Sequence, residues 1–86
     1  MNQFTVVWTK DAQDQLAELW LEASRPRRKL LTAAVARIDE RLALDPHRAV
    51  RNNREGLCSL EEAGLAVFFS ISDEDRQVEV ARIRNA

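Results

Sequence analysis

Seven consecutive residues, Leu65-Ala66-Val67-Phe68-Phe69-Ser70-Ile71, carry six apolar side chains and no charge. A short apolar run bounded by turn formers reads as a β-strand. Along a strand, Leu65, Val67, Phe69 and Ile71 point to one face and Ala66, Phe68 and Ser70 to the other. A strand covered on one side only alternates apolar with polar residues. Ala66 and Phe68 break that alternation, so the pattern predicts a central strand with a cover over both faces. A chain of 86 residues buries roughly 60–65% of its unfolded surface, enough for one modest core. A second cover is hard to find within it, and this points to a partner.

The rest of the chain supplies one layer of helices and three more strands. Phe4–Thr9 alternates Phe4, Val6 and Trp8 with Thr5, Val7 and Thr9 and predicts a first strand. Thr9 is placed to cap a helix over 10–23, with Asp11 in its first turn. Ala12, Leu16, Leu19, Trp20 and Ala23 form the apolar stripe of that helix, and Asp11, Asp14, Glu18 and Glu22 its polar side. Ser24-Arg25-Pro26 interrupts, with Pro26 suited to the first turn of a second helix over 27–44. Its stripe is Leu31, Ala34, Val35, Ile38 and Leu42, widened by Leu30, Ala33 and Ala36. The short link predicts an antiparallel hairpin, and Asp45-Pro46 ends it. Residues 47–55 read as loop. A short strand from Gly56 to about Leu60, a turn at Glu61–Gly64, the central strand, a turn at Ser72–Arg76 and a last strand from Gln77 to Arg84 follow. On plain alternation, Arg82 and Arg84 share the face of Val78 and Val80.

The order predicts one α+β domain spanning residues 1–86: β-α-α-β-β-β, with a helical hairpin packed on one face of a small twisted, mainly antiparallel sheet. Composition narrows the setting. No apolar run approaches the ~20 residues of a membrane span, no secretory signal is visible at Met1-Asn2-Gln3-Phe4, and the single cysteine, Cys58, has no internal disulfide partner. These point to the cytoplasm. The net charge is −1 but unevenly spread. Four acids and no base lie between Asp11 and Glu22, nine bases and three acids between Arg25 and Arg54, and seven acids and one base between Glu55 and Glu79. No metal-ligand cluster is spaced for coordination and no cofactor motif is present. Trp8 and Trp20 read as core residues rather than base-stacking platforms.

This order resembles the RelE/ParE superfamily of toxins from bacterial toxin–antitoxin systems. Val7-Trp8-Thr9 through Ala12 and Leu16 to Trp20-Leu21 is similar to the first strand and helix of that superfamily. Ile38-Asp39 through Leu42 to Asp45-Pro46 is similar to its second helix end, and Arg54-Glu55-Gly56 to the entry of its second strand. Gly64 to Ile71, Asp75-Arg76 and Val78-Glu79-Val80 resemble its last hairpin. The resemblance implies a cognate antitoxin that wraps the toxin in a hetero-oligomer. It also implies one of two targets: mRNA on the ribosome, cleaved by an endonuclease, or DNA gyrase, inhibited by binding.

RNA cleavage through the 2′-OH needs a proton acceptor, a proton donor and cations for the phosphate. The resemblance implies lysines and arginines on the sheet and a tyrosine or histidine near the C-terminus. This chain has no tyrosine; Leu57-Cys58-Ser59 and Glu61 stand where relatives carry bases, and Phe69 where tyrosine is common. Arginine binds phosphate but, with a pKa above ~12, is a poor general base. The lone His47, in a loop, reads as solvated, and Cys58 as a small strand residue. Arg48, Arg51, Arg54, Arg82 and Arg84 remain as candidates for holding a target or its phosphates. Phe68, Arg82 and Arg84 are the candidates for holding the antitoxin. The expected function is therefore a toxin that inhibits growth by binding a target in the gyrase-inhibitor manner. The alternatives are a ribosome-dependent mRNA endonuclease, in which Arg54, Arg82 and Arg84 would hold phosphate, and an inactive member that only binds its antitoxin.

Overall fold

The computed structural model of the chain describes residues 3–48, 51–52 (backbone only) and 57–86. The elements run β1 (Thr5–Trp8), α1 (Lys10–Glu22), α2 (Arg25–Leu44), β2 (Arg51–Asn52), β3 (Cys58–Glu62), β4 (Leu65–Ser72) and β5 (Gln77–Asn85). Local chemistry accounts for the boundaries. Thr9 caps α1, its hydroxyl oxygen accepting from Ala12 N at 3.1 Å. Ser24 caps α2 and accepts from Arg27 N at 3.4 Å, with Pro26 in the first turn where its missing N–H costs nothing. Asp45, forced from helical geometry by Pro46, ends α2.

The strands form one sheet in the order β1-β5-β4-β3-β2. β1 is an edge strand and pairs parallel with β5; every other pairing is antiparallel. The chain returns to β1 only through β5, because the two helices cross between the first strand and the meander. The sheet therefore has one strand more than expected: within the segment read as loop over 47–55, Arg51–Asn52 pairs with Cys58–Ser59. Two residues are too few to show a period in sequence.

Both helices lie on one face. α1 packs on β5, and α2 crosses β1 and β3. Between them and the sheet sits the core: Ala12 from α1, Leu31, Ala34, Ile38 and Leu42 from α2, and Leu65, Val67, Phe69, Val78, Val80 and Ile83 from β4 and β5. β4 is the middle strand of the sheet, and Leu65, Val67 and Phe69 are fully buried under the helices, while Phe68 on the other face is half-buried. Trp8 packs against this core and its indole Nε1 donates to Asp39 Oδ1 at 2.8 Å, tying β1 to α2. Leu30, Ala33 and Ala36 do not widen the buried stripe of α2; they are exposed.

Two further expectations are corrected. Trp20 is not a core residue: it is 39% exposed. Eight residues separate it from the buried Ala12, and at 3.6 residues per turn this rotates it about 80° away. Arg82 and Arg84 do not share the face of Val78 and Val80. Phe68 pairs with Arg82 but Phe69 pairs with Val80, so Ala81 is an extra residue, a β-bulge in β5. The bulge resets the alternation. Ile83 joins Val78 and Val80 in the core, and both arginines turn to the sheet face away from the helices. The bulged backbone is held from α1 and its cap: Gln15 Oε1 accepts from Ile83 N at 2.9 Å, and Thr9 Oγ1 donates to Ala81 O at 3.4 Å.

Candidate macromolecule-binding surfaces

The outer sheet face is built by cross-strand register. Arg51 pairs with Ser59, Ser59 with Phe68, and Phe68 with Arg82. The next row on this face is Glu61, Ala66 and Arg84. The Arg84 guanidinium lies over the Phe68 ring, 5.0 Å from its centroid, a contact worth ~0.5–1 kcal/mol where exposed. Phe68 is half-buried and Ala66 is 6% exposed. A cleft of about 400 Å³ opens beside them, lined by Ser59, Glu61, Ala66, Phe68, Arg84 and the terminal Asn85 and Ala86. The structure therefore brings Phe68, Arg82 and Arg84 together with the backbone position of Arg51. Arg48 lies elsewhere, beyond the C-terminal end of α2, where its N donates to Asp45 O at 3.4 Å. Arg54 lies outside the described residues.

His47 and Cys58 are placed apart from these arginines. His47 Nε2 is 2.7 Å from Asp73 Oδ1 and its ring meets Phe4 edge-on. That pairing joins the end of α2 to the β4–β5 turn, at the opposite end of β5 from Arg84. Cys58 pairs with Phe69 and packs against the core, and burial pushes its thiol above the ordinary 9.0, away from the reactive thiolate. Glu61 is the carboxylate in the Arg84 cleft.

A second surface lies on the helical side. Trp8, Leu16, Ala17, Trp20, Leu31 and Val35 line an apolar groove of about 730 Å³ between α1 and α2. Gln13 and Thr32 supply its polar atoms. Arg28 holds Trp20: its Nε donates to Trp20 O at 2.9 Å and its guanidinium sits 5.5 Å from the Trp20 ring centroid. A groove of this form takes the apolar side of an amphipathic helix. Sequence reasoning missed it by counting Trp20 into the buried stripe. The available signal was Gln13, Ala17 and Trp20 at spacings of four and three, a second narrow stripe beside the first.

No protein-family model and no curated protein matches the sequence. Solved structures do match in fold. A chain of the RelBE2 toxin–antitoxin complex from Mycobacterium tuberculosis superposes with a TM-score of 0.78 at 24% identity, covering 98% of this chain and 92% of that one. A chain of the chromosomal ParDE toxin–antitoxin system from P. aeruginosa gives 0.74 at 15% identity, covering 100% and 99%. TrmO from Pseudomonas aeruginosa contains a similar unit, with a TM-score of 0.63 at 19% identity over 96% of this chain and 36% of that one. Over its whole length, this chain has the RelE/ParE-type toxin fold.

Proposed function

We propose that the chain is the toxin of a toxin–antitoxin pair, which inhibits growth by binding a macromolecular target and is neutralised by a cognate antitoxin. The observation that carries this reading is the groove between α1 and α2, with Trp20 exposed in its wall. A tryptophan left in water beside other apolar side chains is a liability in a solitary protein and an anchor in a complex. The fold-level match to chains from two toxin–antitoxin complexes supports the same reading. The antitoxin fills the groove with an amphipathic helix and reaches Phe68, Arg82 and Arg84 on the outer face. The target is bound rather than cut, in the manner of gyrase inhibitors, because His47 and the Cys58 thiol are both placed away from the outer-face arginines.

One observation favours the endonuclease as a second reading: Arg82 and Arg84 lie side by side on the outer face, in the rows of Phe68 and Ala66. The two readings separate in one experiment. The chain is expressed alone, then with the small protein encoded beside it. Growth arrest relieved by the neighbour is expected, with supercoiling activity of gyrase lost and mRNA intact. Trp20→Ser should weaken rescue while arrest persists. Codon-phased mRNA cleavage that disappears in Arg82→Ala would install the second reading, and absence of any arrest would leave an inactive antitoxin-binding protein.

A further inference from the structure

The helical layer keeps apolar side chains on its outer side. Leu21 lies in the body of α1 and is 73% exposed. It follows the buried Ala12 by nine residues, which at 3.6 residues per turn points it about 180° away from the sheet. Ala17, one turn earlier, is exposed as well, and Trp20 stands beside them in the groove wall. The outward positions of α2 are Lys29, Ala33 and Ala36, all exposed, and alanines there let another helix approach closely. Charge is divided between the two helices. α1 carries Asp11, Asp14, Glu18 and Glu22 against Lys10, which pairs with Asp14 at 3.4 Å. α2 carries six bases against Asp39 and Glu40. Four of the six are engaged within the chain: Arg27 by Asn85, Arg28 by the Trp20 carbonyl, and Arg37 and Arg41 by Glu62. Arg25 and Lys29 are exposed at the start of the helix.

This division of charge selects the occupant. An anionic lipid surface would meet the acids of α1 as well as the bases of α2. A second copy of the chain meets each helix with the opposite sign. We propose that the outer side of the α1–α2 layer is a self-association surface, through which two chains pair about a two-fold axis running along the groove. Such an axis lays α1 of each chain over α2 of the other. Glu22 ends α1 and Arg25 opens α2 with only Ala23 and Ser24 between them, so both lie at one end of the hairpin. The axis keeps those ends together, and Glu18 and Glu22 of one chain fall opposite Arg25 and Lys29 of the other. A two-fold across the groove would instead set α1 on α1, acid against acid. In the pair, Leu21 and Trp20 of both chains are shut away from water. The 13 residues of α1 are about 20 Å long, and two helices of about 10 Å width give a face of roughly 400 Å² per chain. That is the area of a transient pair rather than an obligate dimer, so an antitoxin helix can displace the second copy from the groove. The pairing does not rest on the toxin reading: association of the free chain and growth arrest are separate readouts, and either can fail alone.

The test is sedimentation equilibrium of the 86-residue chain alone, over about 5–500 μM, the range in which a transient pair forms. The average mass should rise from that of one chain towards that of two. Leu21→Lys, at a position too exposed to matter to the single chain, should weaken association by about tenfold or more. Charge reversals read the register. Glu18→Lys/Glu22→Lys and Arg25→Glu/Lys29→Glu should each leave the chain monomeric, because like charges then face each other. An equimolar mixture of the two variants should associate again, because both helix contacts then join opposite signs. Circular dichroism checks that every variant keeps the parent fold. The proposal is overturned by a parent that stays monomeric over the whole range, or by folded variants that associate as the parent does. It is also overturned by a mixture of folded reversal variants that stays monomeric. A chain that is monomeric alone but pellets with anionic vesicles would give this face to a lipid surface and overturn it equally.

Discussion

The orientation of Arg82 and Arg84 depends on a hydrogen bond made 68 residues away in sequence, from Ile83 N to Gln15 Oε1 at 2.9 Å. Ile83 is 2% exposed, so its N–H has little access to water if that acceptor is removed. A buried donor left without a partner costs about 1–3 kcal/mol, against about 0.5–1.5 kcal/mol for the net worth of an ordinary hydrogen bond. Gln15→Ala should therefore destabilise the fold by about 1–3 kcal/mol. For a domain of this size each kcal/mol lowers Tm by about 4–8 °C. Gln15→Glu keeps an oxygen at the same reach and should recover most of the loss. Stability is read by urea denaturation, and the site itself by hydrogen exchange at the Ile83 amide, which should quicken more than its neighbours in Gln15→Ala. A cost below about 0.5 kcal/mol, with the Ile83 amide still protected, would refute the reasoning. It would show that strand pairing alone holds the bulge.

Three other outcomes follow from the packing. Leu42→Ala should cost about 2–5 kcal/mol by denaturation, because Leu42 is 1% exposed within the core. Ala63 holds φ at 50° in the tight turn before Gly64, itself at 82°; Ala63→Gly should remove a left-handed strain of about 1–2 kcal/mol and raise Tm, even after the entropy glycine adds to the unfolded chain. Hydrogen bonding from Arg37, joined by Arg41, holds the Glu62 carboxyl below its ordinary 4.5. A depressed folded value makes the contribution present above the unfolded pKa and lost as pH falls through the folded one, so an acid titration of Tm should drop less steeply below about pH 4.5 in Glu62→Gln than in the parent.

What the sequence determined is what local chemistry and period determine. Thr9, Ser24-Arg25-Pro26 and Asp45-Pro46 set the helix limits because capping and proline sterics act within a few residues. The run Leu65–Ile71 declared itself a strand because a short apolar run bounded by turn formers is read locally. From those elements and their order the layer arrangement and the toxin-type fold were both legible. The candidate surfaces were legible only in part. Phe68, Arg82 and Arg84 were named from residue type, yet the face of the arginines was wrong until the Ala81 bulge reset it. A bulge carries no local signature here; it is fixed by Thr9 and Gln15 reaching β5 from the other end of the chain. Trp20 likewise kept an apolar stripe in sequence while its side chain went to a groove, because the angle at which α1 meets β5 chooses which edge of the stripe is buried. Contacts between distant segments decided each of these points, and no window of neighbouring residues contains them.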